Sequence, residues 1–103
     1  MSYGIELTDE AKVDWRSLKV PLQEFVLDEL EKLSNAPTLL SRRSFFPFRY
    51  TCQRYPFDCD FEEQWWDFNA FFQYSQDEMT LFIVAIGWNR RPPRSQFDDI
   101  HRV

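Results

Sequence analysis

A chain of 103 residues with 44% hydrophobic and 18% aromatic content is long enough for one domain with a real core and too short for a second. Its formal net charge of -5, from 12 basic and 17 acidic residues, argues against a free-standing nucleic-acid binder, which needs surplus Lys and Arg to neutralise phosphate. No apolar run approaches the ~20 residues of a membrane span, and the N-terminus opens on a strand-like segment in place of a signal peptide, so a cytoplasmic protein is expected.

Residues 3–7 alternate, with Tyr3, Ile5 and Leu7 on one face, and predict a short strand. Thr8 is a good N-cap, and Asp9 and Glu10 in the next turn suit the positive end of a helix dipole. Ala11, Trp15 and Leu18 then form a helical stripe. Pro21 ends this helix or opens the next, whose stripe is Leu22, Phe25, Val26, Leu30 and Leu33. The sequence from Ser34 to Pro37 stops that second helix. Residues 38–47 are expected to be a loop. Phe48 to Tyr55 alternate as a strand, with Phe48, Tyr50 and Cys52 on one face and Arg49, Thr51, Gln53 and Tyr55 on the other. Pro56 opens what is expected to be a loop over 56–65.

Residues 68–88 predict a hairpin, two Phe- and Ile-rich runs around a polar turn at Ser75 to Glu78. In the first run Phe68, Ala70, Phe72 and Tyr74 share an apolar face, and Asp67, Asn69, Phe71 and Gln73 a mostly polar one. Strict alternation in the second run puts Leu81, Ile83 and Ala85 on one face and Phe82, Val84 and Ile86 on the other, both apolar, as in a central strand. Beyond Trp88 the chain is basic and extended, and Pro92 and Pro93 exclude regular helix. Residues 1–91 are expected to be the folded domain and 92–103 an extended or partly disordered tail.

Nine of the 12 cations are Arg, which favours planar recognition of carboxylate or phosphate. Residues 42–54 hold Arg42, Arg43, Arg49 and Arg54 without an acid. Residues 58–67 hold Asp58, Asp60, Glu62, Glu63 and Asp67 without a base. The alternative is that the basic and acidic segments pair with each other. Cys52 and Cys59 lack the spacing and the nearby His of a zinc set, and reduced thiols are favoured over a disulfide. No cofactor motif is present, since two glycines cannot build a phosphate loop.

The order strand-helix-helix-strand-strand-strand resembles the RelE/ParE superfamily of toxins from type II toxin–antitoxin systems. The opening from Tyr3 to Lys12 is similar to that family's first strand and helix. Leu30 to Pro37 is similar to its second helix and terminating Pro. The stretches 71–74 and 81–87 resemble its third and fourth strands, with Gly87 closing the fourth. The resemblance implies an α+β fold, a small twisted sheet with two N-terminal helices on one face. It further implies a small antitoxin partner and, in RNA-cleaving members, a metal-independent endonuclease that meets mRNA on the ribosome. This chain departs from that pattern. Asn69 stands where RNA-cleaving members usually have Arg, Trp88 and Asn89 follow Gly87, Arg90 arrives one place late, and Phe97 replaces a tail Tyr.

RNA cleavage without a metal needs a base, an acid and a cation beside the phosphorane. The candidates are Arg49 and Arg90 as cations and Asp67 as base, with Arg42, Arg43, Arg54 and Arg91 as further phosphate contacts. His101, third from the end, is far more often a solvated residue than a catalyst. The alternative is a catalytically inactive interaction module on the same scaffold, anchored by Trp65, Trp66, Phe71 and Trp88, because Trp, Tyr and Arg dominate interface energetics.

Overall fold

A computed structural model of the chain describes residues 3–44 and 52–91. In chain order the elements are β1 (Gly4–Leu7), α1 (Asp9–Arg16), α2 (Val20–Asn35), α3 (Pro37–Leu40), β2 (Arg42–Ser44), β3 (Cys52–Phe61), β4 (Gln64–Ser75) and β5 (Thr80–Arg91). The strands form one sheet in the order β1-β5-β4-β3-β2. β1 runs parallel to β5, and the other neighbours are antiparallel.

Local chemistry places the helices where their stripes predict them. The Thr8 hydroxyl accepts from the Ala11 amide at 3.3 Å and caps α1, and Pro21 sits in the first turn of α2. Leu22, Val26, Leu30 and Leu33 line the inner side of α2. They join Phe68, Ala70 and Phe72 of β4 and Leu81, Ile83 and Ile86 of β5 in one buried cluster. Burying each large side chain is worth ~1.5–3 kcal/mol, so this seam holds the two layers together. One face of the sheet is thereby closed by α1 and α2, and neither covers the other face.

Four expectations differ from the structure. The expected loop at 38–47 contains α3 and the three residues of β2, which pairs with Cys52–Arg54 of β3. The expected loop at 56–65 is a tight hairpin, in which β3 runs to Phe61 and β4 starts at Gln64. Pro56 lies past the end of β2, where β3 is an edge strand and tolerates a proline. The turn itself is Glu62-Glu63, both at positive φ (51° and 62°), a conformation that usually calls for Asn or Gly. An exposed ion pair at 2.7 Å from Lys19 to Glu62 braces it.

The third difference is the facing of β3. Gln53 and Tyr55 stand opposite Phe72 and Ala70 and so look towards the helices, whereas Arg54 looks away. The Tyr55 hydroxyl donates to Glu29 Oε2 at 2.6 Å, and Lys32 donates to Glu29 Oε1 at 3.2 Å. The fourth is a β-bulge, taken up with the site below. The proposed strand start at Phe48, Arg49 with it, and the tail 92–103 lie outside the described residues. Cys52 and Cys59 are both free. Their odd spacing on one extended strand puts them on opposite faces, on the order of 20 Å apart, which excludes a bridge between them.

Two measurements check this description. Glu63→Gly should raise unfolding stability by about 0.5–1 kcal/mol in urea titration, because Gly adopts the left-handed conformation without steric cost. Burial, then the hydrogen bond and charge of Glu29, push the Tyr55 phenol well above its ordinary value near 10. The fold thus favours the neutral phenol. Its contribution is complete below that ordinary value and is lost as the pH climbs towards the folded-state one. The alkaline loss of stability should therefore be steeper in the wild type than in Tyr55→Phe.

Candidate functional site: the open face of the sheet

Residues directly opposite across an antiparallel ladder share a face. The register therefore assigns Arg42 of β2, Arg54, Asp58 and Asp60 of β3, Trp65, Asp67, Asn69, Phe71 and Gln73 of β4, and Phe82, Ala85, Gly87 and Asn89 of β5 to the side away from the helices. The helix side of the same strands holds Phe57, Cys59, Phe61, Trp66, Phe68 and Trp88.

The bulge decides the membership of β5. Phe71 stands opposite Ala85 and Phe72 opposite Ile83, so Val84 is an extra residue without a partner on β4. Past it, every residue of β5 faces the side opposite to strict alternation. Ile86 turns into the core, Ala85 turns out, Trp88 packs beside Phe68 (ring centroids 6.2 Å) and Arg90 faces the helix side. The segment joining β1 to α1 holds this geometry. The Thr8 amide donates to the Ile83 carbonyl at 3.0 Å and its hydroxyl to the Val84 carbonyl at 3.3 Å. The Ile86 amide donates to Asp14 Oδ2 at 3.0 Å.

The structure divides the candidate residues. Arg90 lies with its guanidinium carbon 5.4 Å from the Trp66 ring centre, a cation–π contact on the helix side. Asp67 is on the open face, so these two candidates for one catalytic centre are separated by the sheet. Arg49 lies outside the described residues. Arg54 is on the open face, half-buried, and its Nη1 donates to Asn69 Oδ1 at 3.4 Å. Asp67 is four positions along β4 from Phe71, the residue opposite Arg54. That is ~13 Å, far beyond the reach needed to act on one phosphate. Arg43 pairs in register with Gln53, and Arg91 with Trp65.

The four aromatic anchors are divided as well. Trp66 and Trp88 pack against the helix-side core in a ladder that runs Tyr55, Phe57, Phe68, Trp66. Neighbouring rings stack at 5.2, 5.2 and 5.9 Å, and the Trp66 indole donates to the Phe61 carbonyl at 3.3 Å. Trp65 and Phe71 belong to the open face.

Sequence reasoning left Asp58 and Asp60 in a loop and gave Asp14 no role. The strict alternation of Phe57-Asp58-Cys59-Asp60-Phe61 was the signal that they lie on a strand. The resulting charge pattern is unusual. Arg42 stands directly opposite Arg54, and Asp58 directly opposite Asp67. Like charges so placed destabilise a ladder. Neither Arg42 nor Arg54 takes part in the ion pairs Lys19–Glu62 and Lys32–Glu29. No group of three His, Cys, Asp or Glu among the described residues is placed to hold a metal ion, and no helix there is long and apolar enough to cross a membrane.

Because Asp14 accepts the Ile86 amide on a stretch of β5 that β1, ending opposite Ile83, does not reach, Asp14→Ala should cost about 1–3 kcal/mol and speed hydrogen exchange at Ile86, while Asp14→Asn, which keeps an acceptor oxygen, should recover most of that loss.

Comparison with known proteins places this geometry. No family model and no curated protein sequence matches the chain. Solved structures do. The RelBE2 toxin–antitoxin complex of Mycobacterium tuberculosis aligns with a TM-score of 0.67 at 12% identity, over 86% of this chain and 100% of that one. The isolated E. coli RelE toxin aligns at 0.62 and 14% identity, over 98% of each chain. The intact E. coli RelBE complex aligns at 0.59 and 17% identity, over 87% of this chain and 100% of that one. With two helices sealing one face of a mixed sheet and agreement across almost its whole length, the chain has a RelE-like toxin fold.

Proposed function

We propose that this chain is the toxin-type component of a type II toxin–antitoxin pair, acting in the cytoplasm and held by a small antitoxin. The observation that carries this reading is the alignment with isolated RelE over 98% of both chains, which leaves no part of either fold unmatched by more than a few residues. Two of the similar structures are toxin–antitoxin complexes, which supports an antitoxin as partner.

On chemistry, two readings separate. In the first the chain cleaves mRNA on the ribosome without a metal. Arg42 and Arg54 then hold phosphate, supported by their juxtaposition and by the amide oxygen of Asn69 that orients Arg54. In the second the open face works by binding alone. The separation of Asp67 from Arg90 by the sheet, and from Arg54 by ~13 Å, favours the second, because general acid–base catalysis needs its groups within hydrogen-bond reach of one phosphate. Fold by itself does not decide between them.

Inducing the protein in bacterial cells tests both levels. Arrested growth, relieved by co-expressing the product of an adjacent small gene, is expected for a toxin-type component; normal growth at high expression would refute it. In a translating extract, mRNA cleavage that falls by 100-fold or more in Arg42→Ala/Arg54→Ala would establish the first chemistry. Arrest without cleavage is the outcome expected for binding alone.

A further inference from the structure

We infer that the outer surface of the α1–α2 hairpin is a self-association surface, on which a second copy of this chain docks about a two-fold axis lying along the helices. The surface is on the side of the molecule opposite to the open face, and the inference does not depend on the toxin-type reading.

The outer surface of the hairpin gathers apolar exposure. Val20, Glu24, Leu27 and Glu31 recur at helical spacing and form one exposed line on α2, turned away from the buried line of Leu22, Val26 and Leu33. Val13 and Val20 are each 62% exposed and Leu27 is 43% exposed. Leu40 completes the exposed large hydrophobics among the described residues, so three of the four lie here. Between the helices runs a groove of about 260 Å³ lined by Leu7, Lys12, Trp15, Arg16 and Leu27. Its Trp15 wall is fixed, because the indole donates to the Gln23 carbonyl at 3.1 Å and the Gln23 side-chain amide donates to the Trp15 carbonyl at 3.3 Å.

Charge is segregated across that groove, and the segregation selects the partner. The exposed cations Lys12 and Arg16 stand one turn apart on α1, and the exposed carboxylates Glu24 and Glu31 flank Leu27 on α2. None of the four takes part in the ion pairs Lys19–Glu62 and Lys32–Glu29. The acids of α1, Asp9 and Glu10, lie in its first turn, at the end away from Arg16. A surface that is basic on one side of a groove and acidic on the other is complementary to itself when turned by 180°. An axis along the helices lays α1 of each copy against α2 of the other; an axis across them would lay α1 on α1 and set like charges together. Complementary ordering of charge thus fixes the docking direction. The contacts of Trp15 with Gln23, and of Lys12 and Leu27 in one groove, show that the helices run antiparallel and that Arg16 is level with Gln23 and Glu24. Rotation about an axis along the helices preserves that level, so Arg16 of each copy meets Glu24 of the other.

Size sets the strength. The 16 residues of α2 span ~24 Å, and two helices side by side are ~20 Å wide, which gives roughly 500 Å² on each copy. A total near 1,000 Å² is at the low end for a specific interface and fits a weak, reversible dimer. The net charge of -5 on each copy opposes association, but at about 150 mM salt that repulsion is screened beyond ~8 Å while pairs in contact are not.

Sedimentation velocity tests this on the full chain in about 150 mM salt, over concentrations from about 10 to 500 µM. A reversible monomer–dimer equilibrium is expected within that range. Arg16→Glu and Glu24→Arg should each weaken the dimer at least tenfold, because each sets two like-charged pairs across the axis. Mixed in equal amounts, the two variants should associate again as a dimer of one each, since both pairs across the axis are then of opposite sign. A variant that had lost its fold would not be rescued by mixing, and neither would an Arg16–Glu24 pair made within one copy. A chain that stays monomeric at every concentration overturns the inference. So does a dimer indifferent to both substitutions, which places the contact elsewhere, and so does a mixture of the two variants that fails to associate. Growth arrest in cells together with any of these outcomes leaves the toxin-type reading standing and removes only this inference.

Discussion

The hydrogen bond from the Ile86 amide to Asp14 is part of the constraint on which the facing of the last strand depends. It belongs to a clamp, completed by the amide and hydroxyl of Thr8, that fixes one surplus residue in β5. A strand has period two, so a single inserted residue inverts the facing of everything after it. Without the extra residue, Ile86 and Trp88 would point to the open side and Ala85 and Asn89 into the core. The first helix thus does more than cover the sheet, because one of its carboxylates determines which chemistry the last strand offers. The same Thr8 oxygen that starts the helix also closes the bulge, which ties the start of α1 to a strand 76 positions away in sequence.

Much of the architecture was legible in the chain. Thr8 with its following acids, the spacing of Leu22, Val26, Leu30 and Leu33, and the alternation at 68–74 each obey a local rule, and each element formed where its rule put it. What escaped notice was non-local or disguised. The bulge at Val84 depends on an acceptor supplied by another element, and nothing in the apolar run from Leu81 to Ile86 announces it. The β3–β4 hairpin was hidden by its turn, since Glu62-Glu63 lacks the Asn or Gly by which such turns are recognised, and by Pro56, read as a breaker although an edge strand accepts it. Tyr55 belongs to the helix side because it stands opposite Ala70 of β4, and alternation along one strand does not tell which of its two faces meets the helices.

These displacements changed the site more than the fold. With β3 extended, a supposed acidic loop becomes half of a working face, and the basic and acidic segments of the sequence become two ends of one surface. With β5 re-phased, Arg90 leaves that surface and joins Trp66 on the other side. The residues that the sequence suggested for one catalytic centre are thereby distributed between two environments. On the face that remains, Arg54 is held by Asn69.

The outer part of the sheet carries one more implication. β2 reaches only to Arg54 and β1 only to Ile83, so past those points the described residues form a three-stranded blade with no further described strand on either border. Bare borders template the addition of foreign strands, and natural proteins guard them with proline, charge and irregularity. Here Pro56, Asp58 and Asp60 guard one border and the Val84 bulge with Arg90 the other. Variants that neutralise those guards would risk joining such blades edge to edge into a ribbon.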